Sequence, residues 1–361
     1  MTDALFRSSR KLWLIAVLGA LVLATPVLAV SAHERWFVPN DEQPPTDWGA
    51  LISFPVLLAV LAGGATIVFL RWLQQRLGDP LWPRPAFFQR MEPSAPAILG
   101  VQAAVTLIFQ ASRLDLFAPN IELPENVVGV VLAILAVVAA FSFITGVLTR
   151  WGAIVIGLLW LSCFAFVPPI EVFEQTLWLG IAVYLAAVGR GVVRMDVAEA
   201  TEAEEDRSQL TDRLLPWALP ALRVSVGISV VVLAFSEKLL NVRLGELFLA
   251  EYPKFNVLGW AGIDWFTDER FVLLIGIIET MAGCALIAGY LPRLVILGLW
   301  IPFNLGIAFL PPQELIGHLP ILAAMYVLLV RGTEGVPSPE VSEEPAPTQR
   351  RAAEAAPAIQ P

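Results

Sequence analysis

Histidine and cysteine are nearly missing from this 361-residue chain, which has two of each. So equipped, it cannot by itself hold a bis-histidine haem stack, an iron–sulfur cluster or a four-ligand zinc site. Charge is scarce as well: Asp, Glu, Lys and Arg make up 15% of residues, against about 25% in soluble domains. The net charge is −9 and no basic stripe exists, which excludes a nucleic-acid binder. No Walker A, haem-attachment or Rossmann fingerprint occurs, so ATP-driven transport and nicotinamide chemistry lack a local basis. What is present is apolar. Hydrophobic residues reach 57%, mean hydropathy is +0.72, and twelve Trp with twenty Phe exceed what a soluble core could hide. A soluble α/β enzyme is excluded, and a polytopic membrane protein is expected.

A bilayer core about 30 Å thick needs about 20 apolar residues per helix. Ten stretches qualify or nearly do: Leu12–Val30, Ala50–Phe69, Ala97–Ala111, Val127–Thr149, Trp151–Val167, Val172–Val188, Trp217–Phe235, Phe271–Tyr290, Leu294–Leu310 and Leu315–Val330. Sustained helical runs joined by Pro- and Arg-bearing turns predict an all-α membrane bundle, since barrel strands would alternate in polarity. With the N-terminus inside, seventeen of the 23 Lys and Arg fall in cytoplasmic segments and six outside. The positive-inside rule therefore places both termini in the cytoplasm if the first helix is retained. Arg7, Arg10 and Lys11 ahead of an apolar run, then Val30-Ser31-Ala32, also fit a signal peptide cleaved before His33. Both outcomes remain open, and neither alters the rest of the topology.

The chain then divides as follows. Residues 1–32 are a signal peptide or first span, and 33–96 hold an outer segment, a span and a cytoplasmic loop. Two four-helix units, 97–195 and 215–332, flank an acidic cytoplasmic linker, 196–214. The Pro-, Glu- and Ala-rich tail, 333–361, has nothing to bury and is expected to be disordered. The two units look like a duplication. Gly146-Val-Leu-Thr-Arg150 matches Gly289-Tyr-Leu-Pro-Arg293. At equal distance downstream Phe166 meets Phe309, Pro168-Pro169 meets Pro311-Pro312, and Glu171 meets Glu314. Tyr184 and Tyr326 begin similar endings. Four helices is an even number, so the repeats run parallel, related by an axis along the membrane normal. Glu279 aligns with Ala136 and His318 with Gln175, so a site, if present, is expected in the second unit.

The second unit resembles the DoxX-like membrane proteins, four-helix units related to the DoxD subunit of thiosulfate:quinone oxidoreductase. The resemblance rests on Phe235-Ser-Glu-Lys238-Leu, on Glu279-x-x-x-Gly283 followed by Gly289-x-x-x-Arg293, and on Gly317-His318-Leu-Pro320. It covers the second unit, reaches the first more weakly, and leaves out the two N-terminal helices. Ala32-His33-Glu-Arg-Trp36-Phe37-Val is similar to a segment ahead of such units in larger relatives. The resemblance implies quinone-linked redox activity, or assembly with a soluble redox partner.

Among individual residues Glu279 stands first, because a carboxylate inside a span costs at least about 2.5 kcal/mol on insertion scales and usually marks function. Glu237, Lys238, Asn304 and His318 fall at similar depth on neighbouring helices, the geometry of one polar pocket. Glu279, Lys238 and His318 are the candidate catalytic groups. Glu237, Asn304, Trp300 and Phe303 are candidate binding groups, with Trp260 as a further wall of a flat quinone slot. The alternative is a purely structural polar network, with Glu279 paired to Lys238. Glu171 and Glu314 follow Pro-Pro turns and read as turn or capping residues. Cys163 and Cys284 lie at different depths and are not expected to form a disulfide. If His33 becomes the N-terminus, its amine and imidazole could chelate copper, with His318 as the remaining nitrogen donor. The plainer alternative is an interfacial His beside Trp36 and Phe37. The competing functional class is a non-enzymatic membrane scaffold or small-solute carrier.

Overall fold

The computed structural model describes residues 34–78, 85–189, 201–263, 265–307 and 312–332, with backbone alone for 77, 201–209, 301–307 and 312–314. The first expected span, its cleavage site, His33 and the tail lie outside the described residues.

Thirteen helices follow one another along the described chain. They are α1 (Phe54–Leu77), α2 (Ala86–Met91), α3 (Ala95–Ala111), α4 (Val127–Thr145), α5 (Thr149–Ser162), α6 (Pro169–Glu174) and α7 (Thr176–Val188). Then come α8 (Thr201–Leu233), α9 (Val242–Glu251), α10 (Val257–Trp260), α11 (Asp268–Ala288), α12 (Pro292–Ile307) and α13 (Pro312–Arg331). Each of the nine apolar stretches after the first falls on helix as far as it is described. Among the described residues, five helical segments are long and apolar enough to cross a membrane: Phe54–Arg76, Ala86–Ala111, Val127–Thr145, Leu210–Leu239 and Asp268–Ala288. Three more, Thr149–Ala165, Thr176–Val188 and Leu315–Arg331, are apolar but shorter. The fold is a helical bundle of the kind a multi-pass membrane protein builds.

The all-α expectation holds, with one small addition: Asp115–Leu116 (β1) and Ala118–Glu122 (β2) form an antiparallel hairpin between α3 and α4. Left-handed Leu114 and Phe117 turn the chain there, a choice no residue pattern announced. The acidic linker is helical from Thr201 onward, as the first part of α8, which runs unbroken to Leu233 despite Pro216 and Pro220. Its Glu- and Arg-rich start is good helix-forming sequence.

Local chemistry sets the helix ends. Asn126 caps α4 by accepting from the Val128 and Gly129 amides, and left-handed Gly146 ends it. Thr267 accepts from Arg270 to cap α11, and left-handed Gly289 ends that helix. After each glycine comes a left-handed leucine, Leu148 and Leu291, which reverses the chain into the next helix.

Packing follows a simple order. α3 packs on α4, α4 on α5 and α5 on α7; α8 packs on α11, α11 on α12 and α12 on α13. Between the two sets, α7 lies along α8 and α13 along α3, while α1 flanks α11. One apolar core runs through both sets, from Leu99 and Phe143 to Leu222 and Leu328. Small residues bring backbones together, as membrane helices require in place of a hydrophobic drive. At the α8–α11 crossing a Cβ on Gly227 would stand 2.8 Å from the Gly283 carbonyl oxygen. Outward faces of α1 and α4 carry exposed Phe54, Leu61, Val68, Ile134, Val138 and Phe141, an apolar belt suited to lipid.

Candidate functional site

The last turn of α8 is a π-helical turn, Ala234–Leu239. Such turns recur at functional sites because they break the regular side-chain spacing. Here Ser236, Glu237 and Lys238 are all buried in succession. The turn is clasped from the N-terminal side. The Asp47 amide donates to the Leu240 carbonyl (2.8 Å), and the Asn241 amide group donates to the Pro44 carbonyl (3.0 Å). This clasp holds the Glu34–Trp36 turn against β2 and α9.

Lys238 sits at the centre of what results. Its Nζ lies 2.9 Å from Glu34 Oε2, 3.2 Å from Glu279 Oε2 and 3.9 Å from Glu237 Oε2. Glu237 Oε2 also accepts the Glu34 backbone amide at 3.1 Å. Arg35, one residue on, turns to the first four-helix set. Its Nε is 3.3 Å from Glu174 Oε1, its Nη1 is 4.0 Å from Glu171 Oε1, and it donates to Gln43 Oε1 at 2.8 Å. Asn120, on β2, donates to Glu171 at 3.2 Å and Glu174 at 3.1 Å. The hairpin that the sequence did not announce thus supplies the amide that holds both carboxylates.

The electrostatics follow from burial. Among the described residues, Glu34, Glu171, Glu174, Glu237 and Glu279 gather round Arg35 and Lys238. Five carboxylates meet two cations, and a third cation would still leave the carboxylates in excess. Uncompensated charge in a low-dielectric interior is resolved by neutralisation, so the cluster binds protons. Outside the spans this is visible at Glu34, where burial raises the carboxyl to about 8, partly offset by Lys238. Burial also works against the Arg35 charge, but the surrounding carboxylates, Glu174 foremost, outweigh it and raise its pKa.

The cluster reaches open space on one side. A cleft of about 360 Å³ is lined by Arg35, Asn40, Gln43, Thr46, Asn120 and Glu171, among others. Side-chain exposure is 19% at Glu171, 1% at Glu174 and Glu237, and 12% at Glu279. The cluster is accessible at two ends and sealed between them.

Of the residues expected from sequence, Glu279, Lys238 and Glu237 come together. His318 is buried in α13 next to Gly317, which faces the Trp36 ring. Trp300 is half-buried against the common core. The side chains of Asn304 and Phe303 lie outside the described residues. Trp260 is 74% exposed at the end of α10, so it lines no enclosed slot; it has the position of an interfacial aromatic. Both cysteines are free thiols. Among the described residues no cluster of His, Cys, Asp and Glu could hold a metal ion, and the copper idea rests on His33, outside them.

Sequence reasoning missed Glu34, Arg35, Asn120 and Glu174, and gave Glu171 only a turn role. Glu171 does sit in the first turn of α6, but it also faces Arg35. Nor is the constellation confined to the second unit: it draws on the N-terminal segment, the hairpin, α6, α8 and α11. One signal was available. Glu174 lies inside the apolar stretch Val172–Val188, the same feature that singled out Glu279. No family model matches the chain, and no curated protein or solved structure is detectably similar to it.

Proposed function

We propose that this chain is a ten-span membrane protein of two tandem, parallel four-helix units, with a cytoplasmic C-terminus. On this reading it carries out quinone-linked redox chemistry of the DoxX-like kind, with a soluble partner supplying electrons. The observation that carries the proposal is Lys238 held among Glu34, Glu237 and Glu279 where α8 meets α11. Converting a quinone to a quinol consumes two electrons and two protons. A carboxylate-rich cluster at the end of a membrane helix can supply those protons at neutral pH. Glu279 is the group placed to exchange a proton, and Lys238 holds the negative charge left behind. The redox part comes from the resemblance; the proton part comes from the geometry.

Support for the duplication is local and repeated. Arg150 donates to the Ala187 carbonyl (3.2 Å), and Arg293 donates to the Leu329 carbonyl (2.9 Å), the aligned position. Gly146 and Gly289 are both left-handed, as are Leu148 and Leu291. The last helix of each unit packs on the first helix of the other, α7 on α8 and α13 on α3.

Lipid extraction of the purified protein and assay of quinone reduction with candidate sulfur donors test the reading. Bound quinone and turnover, abolished by Glu279→Gln with the fold intact, are expected; absence of both defeats it. One observation favours a second reading. The cluster takes residues from both units, and carriers built from repeats place their ion sites between the repeats. Solute flux into proteoliposomes that depends on a proton gradient, without quinone turnover, identifies a proton-coupled carrier. Neither flux nor turnover, with stable co-purification of a partner, identifies a scaffold.

A further inference from the structure

We infer that the cleft bounded by Arg35, Asn120 and Glu171 is the water-side mouth of a proton path that ends at Glu279. The inference rests on the reading of the cluster as a proton-binding one, but not on quinone as the acceptor.

The groups form a graded series. Glu171 and Arg35 both line the cleft and both touch the cluster. Glu171 shares the Asn120 amide with Glu174, so the first step inward is between two carboxylates held on one donor. The next step crosses from α6 to α8. There the Ser236 hydroxyl is fully buried and lies against Glu174. It makes no hydrogen bond of bonding geometry among the described residues, so it can turn between the carboxylates. Glu237 lies near enough to Glu174 for their charges to interact, and a hydroxyl can accept a proton from one side while giving one up on the other. Glu237 meets Glu34 and Lys238, and Lys238 meets Glu279.

Arg35 gives the path its selectivity. As the cation at the mouth it attracts carboxylates and repels metal cations, while protons pass along the carboxylates beside it. Bulk water is kept out, because the middle of the series is sealed and only its ends are accessible. The accessible far end, Glu279, is on a membrane-length helix, so the group that receives the proton there is a membrane-dissolved one or a solute held within the bundle. Each transfer is neutral in sum. A proton leaving Glu279 is replaced from Glu237 or Glu34, these are refilled from Glu174 through Ser236, and Glu174 from Glu171 and the cleft.

The groups facing the path are Glu171 and Glu174 from α6, Asn120 and Glu122 from β2, and Glu34 and Arg35 from the N-terminal turn. Ser236, Glu237 and Lys238 face it from the π-turn, and Glu279 from α11. The test is infrared spectroscopy of the full chain in nanodiscs, transferred from H2O to D2O near neutral pH. Protonated carboxyls give a C=O stretch that shifts on deuteration, assigned by its loss in Glu34→Gln, Glu237→Gln and Glu279→Gln. The wild type is expected to show such a band and to exchange rapidly. Glu174→Gln and, separately, Ser236→Ala are expected to slow that exchange at least tenfold. Should those variants not fold, Thr46→Trp fills the mouth without touching the cluster and is expected to slow exchange likewise. A complete absence of protonated carboxyl, or exchange at the wild-type rate in every folded variant, overturns the path. Slow exchange in the variants of a protein that never reduces quinone leaves the path standing and removes only the redox reading.

Discussion

Replacing Lys238 with Met tests the central claim that one ammonium compensates several buried carboxylates. At an effective dielectric of 20, each of the three contacts at 2.9, 3.2 and 3.9 Å is worth about 4–6 kcal/mol in gross attraction. Desolvation of all the partners offsets most of that, and breaking a buried pair by removing one member costs about 3–5 kcal/mol. The loss should not be constant with pH. Once the cation is gone, the folded variant can regain stability by binding protons that the unfolded chain does not hold. Where the folded state binds more protons than the unfolded one, stability falls as pH rises, by about 1.4 kcal/mol per unit for each proton. Lys238→Met should therefore lose most at pH 8 and recover about 3 kcal/mol by pH 6 if one carboxyl is neutralised. Adding Glu279→Gln to Lys238→Met should recover part of the loss at pH 8, because a buried carboxylate is removed with its cation. Reversible denaturation in mixed micelles at the two pH values, completed as a double-mutant cycle, measures all of these quantities. A penalty below about 1 kcal/mol, the same penalty at both pH values, or a double variant worse than the single one would refute the reasoning.

Glu34→Gln should flatten a pH dependence present in the wild type. The Glu34 carboxyl is raised from 4.5 to about 8 by burial, so its contribution to stability is fully present below pH 4.5 and is lost as pH rises towards 8. The upper bound for such a shift is about 5 kcal/mol, and stability against pH checks it. Gly289→Ala should cost more than the about 1–2 kcal/mol of left-handed strain alone. The new Cβ would meet the Arg223 guanidinium, which donates to the Leu286 carbonyl at 2.7 Å. Gly64→Ala in α1 has open space around its Cβ and should be neutral or slightly stabilising, so a denaturation series of both variants separates the two cases. Arg293→Met should destabilise more than Arg150→Met. Arg293 is fully buried and donates to the Leu329 and Val330 carbonyls, whereas Arg150 is half-buried. Equal losses in thermal stability would contradict that difference.

Much of the helical framework was legible because the bilayer simplifies the code. A helix that must satisfy its own backbone in lipid announces itself by length and hydropathy, and Asn126, Gly146, Thr267 and Gly289 mark where helices start and stop. The Glu279–Lys238 contact was legible for a similar reason: two charges at matched depth in an apolar bundle have few other partners. The rest depends on contacts between remote segments. Glu34 reaches Lys238 across 204 positions, and Asn120 reaches Glu174 across 54. No local pattern encodes either approach. The hairpin is a sharper example. Left-handed Leu114 and Phe117 are imposed by the packing of Leu116, Phe117 and Ala118 into the core, and without that turn Asn120 would not face α6. Trp260 failed in the opposite direction: it was read as one wall of a flat slot and instead stands exposed.

The contrast between the two inter-unit contacts bears most directly on function. Where α7 meets α8, the Leu177 amide donates to the Ser229 hydroxyl at 2.7 Å. Where α13 meets α3, the Thr106 hydroxyl donates to the Ile316 carbonyl at 2.7 Å. A hydroxyl on the first helix of each helix set thus meets the opening turn of the other set's last helix, so the packing is alike at both places. The charges are not. The first contact carries Glu174, Ser236, Glu237 and Lys238. The second carries Gln110, the buried His318, and Gly317 with the Trp36 ring against it. A merely structural polar lock would have served both contacts equally, since both bury similar helices in the same apolar core. Carboxylates and cations gathered at the first contact, supplied further by Glu34 and Arg35 from the N-terminal turn, are costly to the fold and redundant for packing. On the proposed reading of a duplicated scaffold, that asymmetry is what a working site adds. It also explains why the N-terminal turn is seated where it is: Glu34 and Arg35 complete the charged contact, and Trp36 fills the uncharged one.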